Sequence, residues 1–322
     1  MLMHRDHHRW LASVALALIT AGAGAQEGSP AFSKARASDT ARSHSLGADL
    51  FSGPPPSPDG PPLAAPKMKG DDEFGEQLIL ARRAQVEPWS LSVDAQYFFT
   101  DNVALVPEGE IEDFYLRAGF SAQYANRIVG DWFVDAGLSS HHYLHNEHDF
   151  FDFHLMRCEA GVTRRLAFLA DVFASAHYAW FRISDPDLSE GVFQDHILSV
   201  NLQKIWKRSR GQQFVFGVGA DFSLAPEPAE PGRHEYSAYA SYKLRLSERF
   251  SLQAGYRGAF YDYTEIGRQD WNHSASLGCS YDLNDRFRVS VSGSASFNRS
   301  SASFFDYDNI VSGAGVSFHL EF

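Results

Sequence analysis

Cysteine, basic residues and long apolar runs are all scarce in this chain. Its two cysteines, among 322 residues, form no Cys-x-x-Cys pair, which argues against a disulfide-stapled scaffold, a zinc ribbon and a thioredoxin-like site. Lys and Arg number 28 against 40 Asp and Glu, and the resulting net charge of −12 disfavours nucleic-acid binding. The mean hydropathy of −0.28 excludes a bundle of transmembrane helices. A membrane protein built of strands remains compatible with all of these features.

The first 25 residues have the layout of a secretory signal peptide. A basic stretch at 4–9 precedes an apolar run at 10–21, and the Ala-Gly-Ala sequence at 23–25 supplies the small side chains that signal peptidase requires. The alternative is a membrane anchor, but a spanning helix needs about 20 apolar residues and this run is shorter. We therefore expect residues 1–25 to be cleaved and the mature chain to lie outside the cytoplasm.

Two further segments precede the main part of the chain. Residues 26–70 hold no periodic apolar pattern and are rich in Pro, Gly and Ser, which is typical of a disordered linker, here on the periplasmic side. Residues 71–86 begin with Asp71 and Asp72 and end near Arg82 and Arg83, the charge order that a helix dipole favours. We expect a short helix there, which could also serve as a plug.

From residue 87 to 322 apolar side chains occupy alternate positions. In the first segment Trp89, Leu91 and Val93 alternate with Ser and Asp, the pattern of a strand with one apolar and one polar face. Twelve segments of this kind fit into the chain.

The fourth segment departs from its own alternation. Its apolar residues stand at odd positions up to Leu155 and at even positions from Cys158 onward. A one-residue bulge near Met156 and Arg157 would restore a single apolar face, and we expect one there.

The connections between these segments alternate in length. Tight turns are predicted at 126–130, 163–165, 207–211, 247–249 and 282–286. Longer stretches fall near 100–112, 144–150, 183–194, 223–234, 262–270 and 299–308. Five short turns on one side and six long loops on the other are what a twelve-stranded outer-membrane barrel produces, whereas a soluble sandwich has no reason to sort its loops in this way.

The apolar face is graded along each strand. Aromatic residues crowd the strand ends and Ala, Val, Leu and Gly fill the middles, which predicts two aromatic girdles around an aliphatic belt. An open sheet edge in hydrocarbon would leave backbone groups without hydrogen bonds, so the sheet must close. The predicted fold is all-β: a closed antiparallel transmembrane β-barrel of about twelve strands at 87–322.

These features resemble outer-membrane β-barrel proteins of double-membraned bacteria. In those proteins the insertion machinery reads a final strand that ends in Phe, and Phe318, Leu320 and Phe322 are similar to that sorting signal. The stretch 97–105, with Asp101-Asn102 after an aromatic strand end, is similar to the opening of β-barrel porins, some of which serve exopolysaccharide export systems. The resemblance implies a location in the outer membrane.

Charged residues of both signs fall on the inward face of the predicted barrel. One alternative is that they pair across the lumen as a structural network, and the other is that they line a narrow diffusion pore. The predicted lumen-lining residues are Asp94, Arg117, Asp135, Asp171, Asp221, Glu235, Lys243, Arg245, Arg257 and Arg288.

The long loops are acidic and the short turns are basic. Solubility of exposed loops would explain the acidic rim, and the alternative is that this rim gathers cations, including divalent ions shared with lipopolysaccharide phosphates. Expected partners are therefore outer-membrane lipid and lipopolysaccharide, the barrel-insertion machinery, and a small hydrophilic solute or polysaccharide.

Chemical sites are weakly indicated. His141, His142, His145 and His148 could bind zinc, nickel or copper, although histidines of a flexible loop lack a fixed ligand geometry and are more simply solvated. Ser139 near His141 is the kind of pair that a hydrolase needs, but Ser is common throughout these strands and no GxSxG or HExxH motif supports it. We expect no enzyme activity and no cofactor.

The predicted barrel also places the two cysteines. Cys158 and Cys279 fall on the outward face of strands four and ten, nearly opposite each other in the ring, so we expect two free thiols. The function that the sequence favours is a porin-like barrel that passes small hydrophilic solutes or serves a polysaccharide export system. The alternative is a non-conducting structural or interaction barrel.

Overall fold

A computed structural model describes residues 88–209 and 211–322, and this part of the chain forms twelve strands. The strands are β1 (Trp89–Thr100), β2 (Asp113–Val129), β3 (Trp132–His145), β4 (Phe153–Leu166), β5 (Val172–Ser184), β6 (Gly191–Ser209), β7 (Gln212–Ser223), β8 (His234–Arg245), β9 (Phe250–Tyr263), β10 (Arg268–Asp282), β11 (Phe287–Ser300) and β12 (Tyr307–Glu321). Short 3-10 helices occupy Asp149–Phe151, Ala167–Leu169 and Ser303–Phe305. The predicted signal peptide, linker and 71–86 helix lie outside the described residues.

The strands form one closed antiparallel barrel. Each strand pairs with its neighbours in sequence, and β1 pairs with β12 in an unbroken register from Ser90 opposite Glu321 to Thr100 opposite Val311. The predicted fold class and strand number are confirmed. Within the described part of the chain, no helix is both long enough and apolar enough to span a membrane.

The two ends of the barrel differ in the length of their connections. Turns of two to five residues join the strands at one end, which we call the turn end, and six loops join them at the other, the loop end. The loops are L1 (101–112), L2 (146–152), L3 (185–190), L4 (224–233), L5 (264–267) and L6 (301–306). The backbone of Trp89 exchanges hydrogen bonds of 3.1 and 3.0 Å with that of Phe322, so both ends of the described chain meet at the turn end.

Side chains on the outer surface are apolar and exposed. Trp89, Trp206 and Phe287 lie near the turn end, Tyr97 and Trp271 lie near the loop end, and all five are well exposed. Between these girdles stand aliphatic side chains such as those of Val218, Leu277 and Val291. Because apolar surface of this extent is stable only when it is covered, the outer face fits hydrocarbon.

The expected bulge in β4 is wrong. Pairing with β3 runs without a shift from Tyr143 opposite Phe153 to Trp132 opposite Arg164, and the pairing with β5 is equally continuous. Phe153 and Leu155 therefore face the lumen, where they pack with other inward aromatic residues. The apolar residues of β4 therefore change from odd to even positions because its first part is apolar on the inner face and its second part is apolar on the outer face.

One turn also lies elsewhere than expected. The sequence predicts a turn at 163–165, but β4 continues to Leu166 and the connection occupies 167–171. Ala170 and Asp171 adopt left-handed backbone conformations there, with φ of 54° and 62°. Arg164 covers the ring of Trp132 at 5.0 Å, and Arg165 bonds Asp131 at 3.0 Å, so both arginines stabilise strand ends.

Cys158 and Cys279 are both free thiols. Five strands separate β4 from β10 in either direction around the ring, so the two residues lie on opposite sides of the barrel.

Candidate functional site in the barrel lumen

The lumen differs sharply between its two ends. At the loop end the inward side chains are covered: Thr100, Tyr115 and Asp270 are 0%, 1% and 1% exposed. At the turn end inward residues such as Ser175 and Ser290 are partly exposed. Water therefore reaches the turn half of the lumen, while side chains fill the loop half.

An aromatic wall lines the loop half on the β1–β6 side. Phe98 and Tyr115 are opposite each other in register and their rings stack with centroids 5.2 Å apart. Tyr143 and Phe153 are likewise opposite and stack at 4.2 Å. The wall comprises Phe98, Tyr115, Tyr143, Phe153, Phe181, Ile183 and Phe193 on these strands, together with Val311 on the adjoining β12. None of these residues was predicted to line the lumen from the sequence.

Polar and charged groups line the same half on the β8–β12 side. Arg257 forms a salt bridge with Glu235, and Arg233 lies 3.5 Å from the other oxygen of that carboxylate. Arg268 binds Asp270 with Nε–Oδ1 and Nη2–Oδ2 distances of 3.0 and 2.7 Å.

Aromatic rings complete this polar wall. The Arg268 guanidinium lies between the rings of Tyr263 and Phe305, 3.8 and 3.7 Å from their centroids. The Arg233 guanidinium lies 3.8 Å from the ring centroid of Tyr261. A cation over a ring face is attracted by the ring quadrupole, so both arginines are fixed in position as well as charge-balanced.

Two further groups of charged side chains connect strands on the inner face, either adjacent strands or strands one apart. Arg117 Nη1 donates to Asp94 Oδ2 at 2.9 Å, and His141 Nε2 lies 3.2 Å from the other oxygen of Asp94. His177 Nε2 lies 2.9 Å from Asp135 Oδ2. Because its Nε2 is engaged in this way, His141 is not placed as a base for Ser139.

Strand parity places nine of the ten predicted lumen residues on the inner face, namely Asp94, Arg117, Asp135, Asp221, Glu235, Lys243, Arg245, Arg257 and Arg288. The prediction that Asp171 lines the lumen is wrong. It lies in the left-handed turn after β4, with a side chain that is 66% exposed, rather than inside a strand. The predicted strand ran through this turn because Leu166, Phe168 and Ala170 continue the apolar alternation.

The structure does not bring the four predicted metal-binding histidines together. Strand alternation turns His141 and His145 inward and His142 outward, where its ring lies 4.5 Å from that of His154. His145 and His148 bind separate carboxylates, those of Asp152 and Asp113. Among the described residues, no group of three His, Cys, Asp or Glu side chains is arranged to hold a metal ion.

The Asp101-Asn102 pair ties L1 to β12. Asp101 Oδ1 accepts a hydrogen bond from the backbone of Ile310 at 2.7 Å. The Asn102 amide donates to the carbonyls of Val106 and Asp308 at 2.8 and 2.9 Å, and its oxygen accepts from Val106 N. The apolar residues 103–106 are buried. L1 is therefore a fixed part of the loop end.

The loop end is also the acidic end. Exposed carboxylates project from L1 to L4, including Glu108, Glu110 and Glu190. In L3, burial and the nearby Glu190 and Asp187 raise the pKa of Asp185. Like charges are therefore crowded at this rim.

Inward glycines let large side chains lie flat against the wall. Tyr239 on β8 crosses over Gly217 on β7, and its hydroxyl donates to Gln203 on β6 at 2.9 Å and to Asn201 at 3.2 Å. A Cβ at Gly217 would fall inside the space of the Tyr239 ring.

Gly217→Ala is therefore expected to turn the Tyr239 phenol into the lumen and lower the free energy of unfolding by about 1–3 kcal/mol. Denaturant titration of the refolded barrel measures this cost. In a Tyr239→Ala background the same substitution should cost almost nothing, and an unchanged cost there would refute the crossing.

Known proteins were compared with the whole chain. The sequence profile of the family described as "Putative beta-barrel porin 2" matches residues 154–320. No curated protein matches this sequence. Among solved structures, the COG4313 outer membrane channel from Pseudomonas putida F1 aligns with a TM-score of 0.53 at 8% identity, covering 73% of this chain and 96% of that one. The NanC porin aligns with a TM-score of 0.43 at 10% identity, covering 71% of this chain and 100% of that one. The KdgM porin in complex with disordered oligogalacturonate aligns with a TM-score of 0.39 at 9% identity, covering 70% of this chain and 98% of that one.

Proposed function

Because this chain belongs to the family described as "Putative beta-barrel porin 2", we propose that it is an outer-membrane conduit for small hydrophilic solutes. The observation that carries the proposal is the water-accessible, polar turn half of the lumen, enclosed by a barrel with an apolar outer face. Solutes that enter this half meet Ser, Gln and Gly side chains on β9–β12 rather than a packed core.

The covered side chains of the loop half narrow the lumen, and we expect them to limit the size of the solute. Eight-stranded barrels are filled by their own side chains and barrels of sixteen strands or more leave an aqueous channel, so twelve strands lie between these cases. Here a solute must pass between the aromatic wall of β1–β6 and the polar wall of β8–β12. On this proposal we expect the conduit to admit small molecules, or a chain no wider than one sugar ring.

Service in a polysaccharide export system is the second candidate. The observation that favours it is the pairing of an aromatic wall with a wall of hydrogen-bonding groups, since sugars combine an apolar ring face with polar edges. On this proposal the glycan would move in single file.

We also propose how the barrel is oriented. Short turns face the periplasm in bacterial outer-membrane barrels, so residues 26–86 would leave β1 on the periplasmic side and the acidic loops would face outward, toward lipopolysaccharide. The sorting signal is proposed on the same basis: Phe318 and Leu320 lie on the outward face of β12, directly before Phe322.

Planar-bilayer recording tests the conduit. The mature chain, 26–322, is expected to give discrete conductance steps, and removal of 26–86 is expected to leave or increase them. Heat-modifiable gel mobility shows that each protein is folded. If neither folded protein gives conductance steps, the non-conducting barrel is favoured instead. The observation that supports this alternative is the burial of the inward residues Thr100, Asp195 and Asn298.

Liposome swelling separates the two solute classes. Small-solute passage predicts that swelling is fast with glycerol and slows as the sugar becomes wider. Single-file passage of a glycan predicts similar entry for linear oligosaccharides of equal width and different length.

A further inference from the structure

Four cations face the lumen at the turn end, and we call them the basic mouth: Lys207, Lys243, Arg245 and Arg288. Lys207 is opposite Gln213 in register, Gln213 is opposite Lys243, and Lys243 is opposite Gln253. Ammonium and amide groups thus form one row across β6 to β9 on the inner face. Lys207 and Arg245 are exposed and Lys243 is half-buried, so the row is open to solvent.

Within the part of the chain that the structure describes, only one of the four cations of the basic mouth forms an ion pair. Arg288 binds Asp282 with an Nε–Oδ1 distance of 2.6 Å. No carboxylate in residues 88–209 and 211–322 lies within ion-pair distance of Lys207, Lys243 or Arg245.

Several other charged groups near this end are engaged with one another, while the carboxylates of Glu248 and Asp285 lie exposed in the turns. Arg165 binds Asp131, His177 binds Asp135 and His319 binds Glu321. The charged groups that act on Lys243 are Arg288, Arg245 and Asp282, so two of its three charged neighbours repel it.

Like charges held together at the rim of a low-dielectric cylinder destabilise the empty barrel and concentrate a positive potential in its mouth. A multivalent anion relieves this repulsion. The row also contains neutral amide groups, those of Gln213 and Gln253, at the spacing of adjacent strands. Because the loop end is acidic, the positive potential is confined to one end of the lumen.

We propose that the basic mouth is an anion-binding site that recruits small solutes carrying two or more carboxylate or phosphate groups into the lumen from the turn end. As a step in transport, this inference rests on the proposed conduit. Binding itself does not require conduction, so the two can fail separately.

Calorimetric titration of the detergent-solubilised mature chain with citrate, and in a second arm with pyrophosphate, tests the site. Lys243→Gln with Arg245→Gln is expected to weaken binding by about tenfold at low salt, and added salt should weaken wild-type binding. The matched control is Lys204→Gln with Arg208→Gln, which removes the same charge from the outward side of β6 and should leave binding unchanged.

Equal loss of binding in both double variants, or no loss in either, would overturn the site. In bilayers, citrate is expected to block the current only from the turn end, with orientation read from a protease-cleavable tag in L3. Block that is equal from both ends would contradict the proposal. Citrate binding without conductance would refute the conduit and retain the anion-binding site. Conductance without citrate binding would refute the anion-binding site and retain the conduit.

Discussion

Leu277→Arg is expected to lower the free energy of unfolding of the barrel in a bilayer by about 2–4 kcal/mol. Leu277 lies near the middle of β10, points outward and is 64% exposed, so its side chain meets hydrocarbon when the barrel is inserted. An arginine at that depth loses its hydration without gaining an opposite charge. We expect slower and less complete insertion as well.

Ser292→Arg is the matched control on the inner face. Ser292 on β11 faces the lumen and is partly exposed, so a longer side chain can extend from it into the lumen and keep its charge in water. We expect a change within about 0.5 kcal/mol. Denaturant titration in vesicles measures both variants, and equal costs for Leu277→Arg and Ser292→Arg would contradict the assignment of the two faces.

Local alternation predicted which face of each strand meets lipid, because that choice depends on a strand's own residues. Trp271, Ala275 and Leu277 on β10 are outward as the sequence indicated. The aromatic wall could not be predicted in this way. Parity places Phe98 inward between the outward Tyr97 and Phe99, but it does not indicate that this ring packs against other inward rings.

The inward aromatic residues are stabilised by partners on the neighbouring strands. Phe153 packs on Tyr143, and Phe181 on Phe193, across strand pairs whose register the alternation within a single strand does not specify. The fourth strand was misinterpreted for this reason. When a strand is read alone, apolar residues that change from odd to even positions indicate a bulge, because packing against inward residues of other strands is not considered.

The charged lumen residues were predicted as a set but not as pairs. Asp94 and Arg117 are 23 positions apart and meet because β1 and β2 pair with Gln96 opposite Arg117. Arg233 and Arg268 were not predicted, since Arg233 belongs to a loop and Arg268 stands at a strand end, where alternation carries little information. The sequence feature that could have indicated these two arginines is the pair of inward tyrosines at 261 and 263, whose rings the guanidinium groups cover.

Asp270→Asn is expected to lower the free energy of unfolding by about 3–5 kcal/mol. Both partners of the Arg268–Asp270 pair are covered, with side chains 3% and 1% exposed, and the carboxylate also accepts from Asn298 Nδ2 at 3.1 Å. Without that carboxylate the guanidinium stays in its ring sandwich of Tyr263 and Phe305 but loses its counter-charge in a region closed to water.

Asp282→Asn is the matched control, because the Arg288–Asp282 pair is 54% and 37% exposed and water replaces the lost carboxylate. Its cost should be at most about 1 kcal/mol. Arg268→Met combined with Asp270→Leu removes both charges together, so the double variant should recover most of the stability that Asp270→Asn loses. Denaturant titration of the refolded barrels orders these variants. If Asp270→Asn and Asp282→Asn cost the same, water reaches the Arg268 site and the loop half of the lumen is open rather than filled.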